Sequence, residues 1–142
     1  NLAYIGDNYG VSLTYGMQEN GTSNQTYTAL NGFYSFDNGL NISAGYEVGD
    51  LDVADANVDE TLAYFVGING DVGPGELGAA VGTNGSMTES AGSITEEMMY
   101  EVYYDYPLND GMTITPLVFV KESSTAGTPD QTGVMVKTTF KF

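Results

Sequence analysis

ALNGFYSFDNGLNISAGYE, residues 29–47, reads as two alternating runs on either side of a turn signal, Asp37–Asn38–Gly39. Before the turn, Leu30, Gly32, Tyr34 and Phe36 fall on one face, with Ala29, Asn31 and Phe33 opposite. After it, Leu40, Ile42, Ala44 and Tyr46 (continuing to Val48) oppose Asn41, Ser43, Gly45 and Glu47. A period of two is the signature of a strand, and an Asn-Gly pair between two such runs is tight-turn chemistry. The stretch predicts an antiparallel hairpin with one apolar face and one of small and polar residues.

The same alternation recurs in both directions. Val11, Leu13, Tyr15 and Met17 oppose Ser12, Thr14, Gly16 and Gln18; Leu62, Tyr64, Val66 and Ile68 oppose Ala63, Phe65, Gly67 and Asn69. Leu77, Ala79 and Val81 alternate with Gly78, Ala80 and Gly82, and Tyr100 to Leu108 with Glu101 to Pro107. Met112 to Val120 alternate with Thr113 to Lys121, where Pro116 must sit at a bulge or where no ladder donor is needed. With the short segment 2–6 and the last run, Val134 to Phe142, about nine strands are expected. Tight-turn signals (GDN, DNG, GDVGPG, NDG) alternate with long polar stretches (QENGTSNQ, GDLDVADANVDE, NGSMTESAGSITEE, ESSTAGTPDQT). Short periplasmic turns alternating with long extracellular loops are what an up-and-down transmembrane barrel predicts; Greek-key sandwiches do not sort their connections this way.

Composition narrows the chemistry. The 142 residues contain no cysteine and no histidine, excluding disulfides, thiol catalysis and any Ser–His–Asp triad. Nineteen acids against three basic residues give a formal charge of −16, which leaves no basic surface for nucleic acid. No apolar run reaches the roughly 18 residues of a spanning helix, a limit that does not apply to barrel strands. Charged residues are only 15% of the chain. The non-apolar strand faces carry Gly, Ser, Thr and Asn where a wet outer surface would carry Lys and Glu, and the apolar faces are rich in tyrosine, as at membrane interfaces. Beginning at Asn1, the chain is expected to be a mature product or a fragment.

The last run alternates Val134, Val136, Thr138, Phe140 and Phe142 with Met135, Lys137, Thr139 and Lys141. It resembles the closing strand of a bacterial outer-membrane barrel, in which Phe140 and Phe142 would be the terminal signal for the barrel assembly machinery. Lys137 stands where such strands usually carry glycine, and Gly133 lies further upstream. More of the chain resembles one family: YIGDNYGVSLTYG, ALNGFYSFDNGLNISAGYE, GPGELGAAVGT, MMYEVYYDYPLNDGMTITPLVFVKE and DQTGVMVKTTFKF are similar to the C-terminal half of cyanobacterial porins, described as iron-uptake or carbohydrate-selective porins. The resemblance implies an all-β, antiparallel up-and-down transmembrane barrel, with residues 1–142 forming the C-terminal portion of a barrel of roughly 16–18 strands. It further implies a trimeric, cofactor-free outer-membrane channel, not an enzyme, passing ions and small hydrophilic solutes. The alternative is a β-rich fragment that assembles by strand-edge pairing into a filament or scaffold.

On the barrel reading the inward face carries Asn31, Ser43, Glu47, Glu101, Asp105, Lys121, Lys137 and Lys141 as candidate pore-lining residues. Rings of charged groups select ions by their field, and the excess of acids predicts a modest cation preference. The same groups could instead pair across neighbouring strands. Asp50, Asp52, Asp55, Asp59 and Glu60 have the charge of a calcium loop without its glycine or its regular spacing, and are expected to form a solvated loop. Glu101 and Asp105, four residues apart on one strand, are about 13 Å apart, too far for a glycosidase pair.

Overall fold

The computed structural model describes residues 1–20, 23–53, 58–83, 86–89, 94–125 and 127–141. These form a single sheet of antiparallel strands with no helix among the described residues. The strands are β1 (Leu2–Ile5), β2 (Tyr9–Asn20), β3 (Ser23–Ser35), β4 (Leu40–Val53), β5 (Val58–Val72), β6 (Gly75–Thr83), β7 (Ser86–Glu89), β8 (Ile94–Thr95), β9 (Met98–Asn109), β10 (Met112–Lys121) and β11 (Gln131–Phe140). Nine of them form an up-and-down meander in the order β1-β2-β3-β4-β5-β6-β9-β10-β11, so every expected strand is present. The sheet is open: β1 pairs only with β2 and β11 only with β10.

The hairpin around residues 29–47 forms as expected. Tyr34 pairs Ile42, Leu30 pairs Tyr46 and Asn31 pairs Gly45, so the two apolar faces coincide. Gly39 takes a positive φ of 83°, which the turn requires and other residues resist; Gly73 does the same at 61° in the β5–β6 turn. Pro116 is accommodated without a bulge of its own. The ladder from β10 to β9 is interrupted at Thr115 and Pro116, whereas that to β11 is continuous.

The long polar stretches need correction. β2 and β3 stay paired to Asn20 and Ser23, leaving residues 21–22 between them. β4 and β5 extend to Val53 and Val58, so Asp50 and Asp52 lie in one strand and Asp59 and Glu60 in the other; Asp55 falls outside the described residues. Asp50 stands directly across from Glu60. The third stretch contains β7 and β8, which pair with each other, and β7 continues alongside β5 where β6 stops. In the fourth stretch, residues 122–130 between β10 and β11 include no strand among those described. Along these outer segments the apolar face of the strand middles is not continued: Gln18–Asn20 is wholly polar, and Leu51 and Val53 fall out of step with Tyr46 and Val48, while backbone pairing continues. Four turns (between β1 and β2, β3 and β4, β5 and β6, β9 and β10) share one end of the sheet, hereafter the turn end; the opposite end is the loop end.

The polarity of the two faces is inverted relative to a water-soluble protein. Among the described residues, substantial contacts run only between laterally neighbouring strands, and no second layer covers either face. Burial falls on the face of small and polar residues, the concave face of this open partial barrel: Ala29 is 8% exposed and Thr115 2%, and Gly45, Gly67 and Gly78 are buried, Gly45 and Gly78 beneath the rings of Phe65 and Tyr103. Leu13, Leu30, Tyr46, Val66, Ile68 and Val102 are exposed on the other, convex face. Apart from Ala29, no described hydrophobic side chain is buried, so no internal apolar core holds this sheet together.

Candidate functional site

The concave face is built by register. One row of cross-strand neighbours runs Ser12–Asn31–Gly45–Phe65–Gly82–Met99–Lys121–Gln131, and the next toward the turn end runs Gly10–Phe33–Ser43–Gly67–Ala80–Glu101–Phe119–Gly133. Asn31, Ser43, Glu101 and Lys121 thus lie on this face, as does Glu47, flanked by Ala29 and Ala63. Asp105 and Lys137 share a third row: Asp105 neighbours Glu76, its carboxylate accepts a hydrogen bond from the Thr115 hydroxyl, and Thr115 stands opposite Lys137. Lys141 follows the last ladder position, with its backbone N–H donating to the Gly111 carbonyl at 2.9 Å, at the turn-end rim. Phe140 lies on the convex face opposite Met112, and Phe142 is outside the described residues.

These residues are not gathered into one ring. They are spread from β3 to β11 and along the length of the strands. Nor do they pair off: Glu47, Glu101, Lys121 and Lys137 have no opposite charge directly across from them, and Asp105 faces another carboxylate. The face therefore keeps its charges segregated, with acids on β4 to β9 and lysines on β10 and β11.

Two carboxylates belong with this set and are missed by the sequence reading. Asp71 is directly opposite Glu76, which is opposite Asp105, and all three line a groove of about 460 Å³ at the turn end. Asp71 is hidden in GDVGPG, which reads as a turn. Carrying the alternation of Asn69 and Gly78 two residues further would have placed both acids on the concave face. No group of three or more acidic residues with metal-binding geometry occurs among the described residues.

The aromatic residues of the concave face follow a rule that only register exposes. Phe33 lies across from Gly10, Tyr27 from Gly16, Phe65 from Gly45, Tyr103 from Gly78 and Phe119 from Gly133. At each of these glycines an added Cβ would overlap the partner's ring. Each ring thus lies over the neighbouring strand's backbone at its glycine.

On the convex face the tyrosines gather toward the two ends of the apolar band. At the turn end Tyr4 and Tyr9 (ring centroids 5.8 Å apart), Tyr34 and Phe36 (4.7 Å) and Tyr104 and Tyr106 (6.5 Å) are in contact. At the loop end, the Tyr64 hydroxyl donates to Glu96 Oε2 at 3.3 Å and the Tyr100 hydroxyl to Glu122 Oε1 at 3.2 Å. The Tyr104 hydroxyl points the other way, to the Val72 carbonyl at 2.7 Å. Comparison with protein-family models, curated proteins and solved structures finds no match to the chain.

Proposed function

We propose that the chain forms part of an outer-membrane β-barrel porin that lets ions and small hydrophilic solutes diffuse passively, with a modest preference for cations. The observation that carries this reading is the inverted sheet: large apolar side chains cover the exposed convex face, and small and polar ones the concave face. In water such a sheet would lack the burial that stabilises folded chains; in a bilayer the convex face has its solvent. The resemblance of the hairpin phrases to cyanobacterial porins is in keeping with this reading, and with it we propose an outer-membrane location and a trimeric assembly.

Topology supports a barrel larger than the nine strands here. In an antiparallel meander the first and ninth strands run in the same direction, so β1 and β11 cannot close on each other in antiparallel fashion. Further strands between them would satisfy both edges, as hydrocarbon demands. The cation preference rests on the concave-face carboxylates Glu47, Asp71, Glu76, Glu101 and Asp105 outnumbering Lys121 and Lys137.

Planar-bilayer recording on the full polypeptide tests this reading. Stepwise ohmic conductance with a reversal potential on the cation side in a potassium chloride gradient is expected; absence of channels, or anion selectivity, overturns it. One observation favours a second reading. The edge strand β11 exposes Val134 (81%) and Val136 (68%), the kind of uncovered edge that recruits another chain. Detergent-free filaments with a strand-spacing reflection near 4.7 Å would establish that scaffold instead.

A further inference from the structure

The convex-face aromatics do not follow the rows of the sheet. The row through Tyr9 and Tyr34 continues as Ile42, Ile68, Ala79, Val102, Val118 and Val134, aromatic at one side of the sheet and aliphatic thereafter. On β9 the turn-end aromatics are Tyr104 and Tyr106, two and four positions nearer the turn end than this row. On β11 the aromatic is Phe140, six positions nearer, and on β1 it is Tyr4, two positions the other way. From β1 to β11 the turn-end aromatics therefore step by eight residues over eight strand-to-strand intervals.

The loop-end tyrosines drift in the same sense. Tyr15 on β2, Tyr46 and Tyr64 on β4 and β5, and Tyr100 on β9 descend by four residues over five intervals. Two independent sets thus give a slope near one residue per strand. A rise of about 3.4 Å per residue against a strand spacing of about 4.8 Å makes this a slope of roughly 35°. That is the tilt at which barrel strands cross a bilayer.

The geometry points to a flat, two-sided partner for the convex face, a lipid bilayer, crossed by strands tilted about 35° to its normal. Its two interfaces lie at the level of Tyr4, Tyr9, Tyr34, Tyr106 and Phe140 on one side, and of Tyr15, Tyr46, Tyr64 and Tyr100 on the other. Between the two levels the face carries Val11, Ala44, Ile68, Ala79 and Val102, with Tyr104 on β9 the aromatic among them. The hydroxyls agree with this placement, since those of Tyr64 and Tyr100 reach toward the loop end and that of Tyr104 toward the turn end, each away from the middle. This deepens the porin reading and rests on its membrane part alone, not on conduction.

The 142 residues contain no tryptophan, so a tryptophan introduced here, read as the difference from the unsubstituted polypeptide, reports depth within this segment. In phosphatidylcholine vesicles brominated near the headgroup or near the chain ends, the tilt predicts opposite behaviour for residues of one row. Ile68→Trp is quenched most by deep bromines, whereas Tyr34→Trp and Val118→Trp are quenched by shallow ones, and only one of these two is reached by an impermeant aqueous quencher added outside the vesicles. The conservative changes Tyr9→Trp and Tyr106→Trp, which preserve an aromatic and hence the fold, lie four positions apart by row yet are expected at one depth and on one side. Equal depth and sidedness along the Tyr34–Val118 row, different depths for Tyr9→Trp and Tyr106→Trp, or no lipid quenching at all overturns the inference. The expected depths in a protein that gives no conductance leave this inference standing and remove the channel.

Discussion

At Gly45 a methyl group would meet the Phe65 ring and the Asn31 side-chain oxygen at once. The ring lies over Gly45 because the two residues are direct cross-strand partners, and the same relation recurs at four other concave-face glycines. Gly45→Ala is expected to cost about 1–3 kcal/mol, the usual cost of overpacking, in urea unfolding from lipid vesicles. Gly45→Ala combined with Phe65→Leu recovers part of that loss, and a neutral Gly45→Ala would show that the ring is not held there. Thr115 makes a second residue-scale test. It is 2% exposed and donates its hydroxyl to Asp105, so Thr115→Val strips the carboxylate of a donor while keeping the shape. A loss of about 1–3 kcal/mol is expected, and close to none for Thr115→Ser; equal effects of the two would remove the hydrogen bond from the account. Neither pairing was legible in the sequence. Alternation put Phe33, Phe65, Tyr103 and Phe119 on the small-residue face, but which glycine each ring covers depends on the register between strands.

A strand such as β5 carries its own depth scale. Val66 and Val72 are exposed valines on the same face of the same strand, six residues apart. Val66 lies between the two aromatic levels, and Val72 at the turn end, beyond the sloping level drawn through Tyr34 on β3 and Tyr106 on β9. Val66→Arg is expected to destabilise insertion by about 2–4 kcal/mol and Val72→Arg by about 0–1, read as the shift in urea midpoint for folding into vesicles. A soluble sheet would show small, equal effects at both. Strand identity was legible where one face is apolar, and so were the turns with their glycines. It was lost at the loop end, where the apolar alternation stops or changes phase: Gln18–Asn20 and Asp50–Val53 read as loop and yet pair as strand. The backbone ladder there is sustained by its neighbours, not by side-chain contrast.

For the molecule as a whole, the proposed channel makes the segregated concave face a test of ion selection. Glu47 and Glu101 lie toward the loop end and the acids Asp71, Glu76 and Asp105 toward the turn end, with the lysines confined to β10 and β11. Glu47→Gln with Glu101→Gln is expected to move the reversal potential toward zero in a salt gradient, and Lys121→Gln with Lys137→Gln to move it further to the cation side. No movement in either would relieve these residues of any selective role. The shift should shrink as ionic strength rises, because at 1 M salt charges more than about 3 Å away are screened. By itself the sequence determined that the chain is all strand, which residues share a face, that its chemistry excludes thiol and histidine catalysis, and where the tight turns lie; all of these follow from residue type and a period of two. Only the tertiary structure decided which face curves inward, which ring covers which glycine, that Asp71 and Glu76 join Asp105, and that the aromatic levels slope across the rows. Each of these depends on how far one strand is displaced against the next, and that displacement is set by pairing across the sheet, not by the alternation along a single strand.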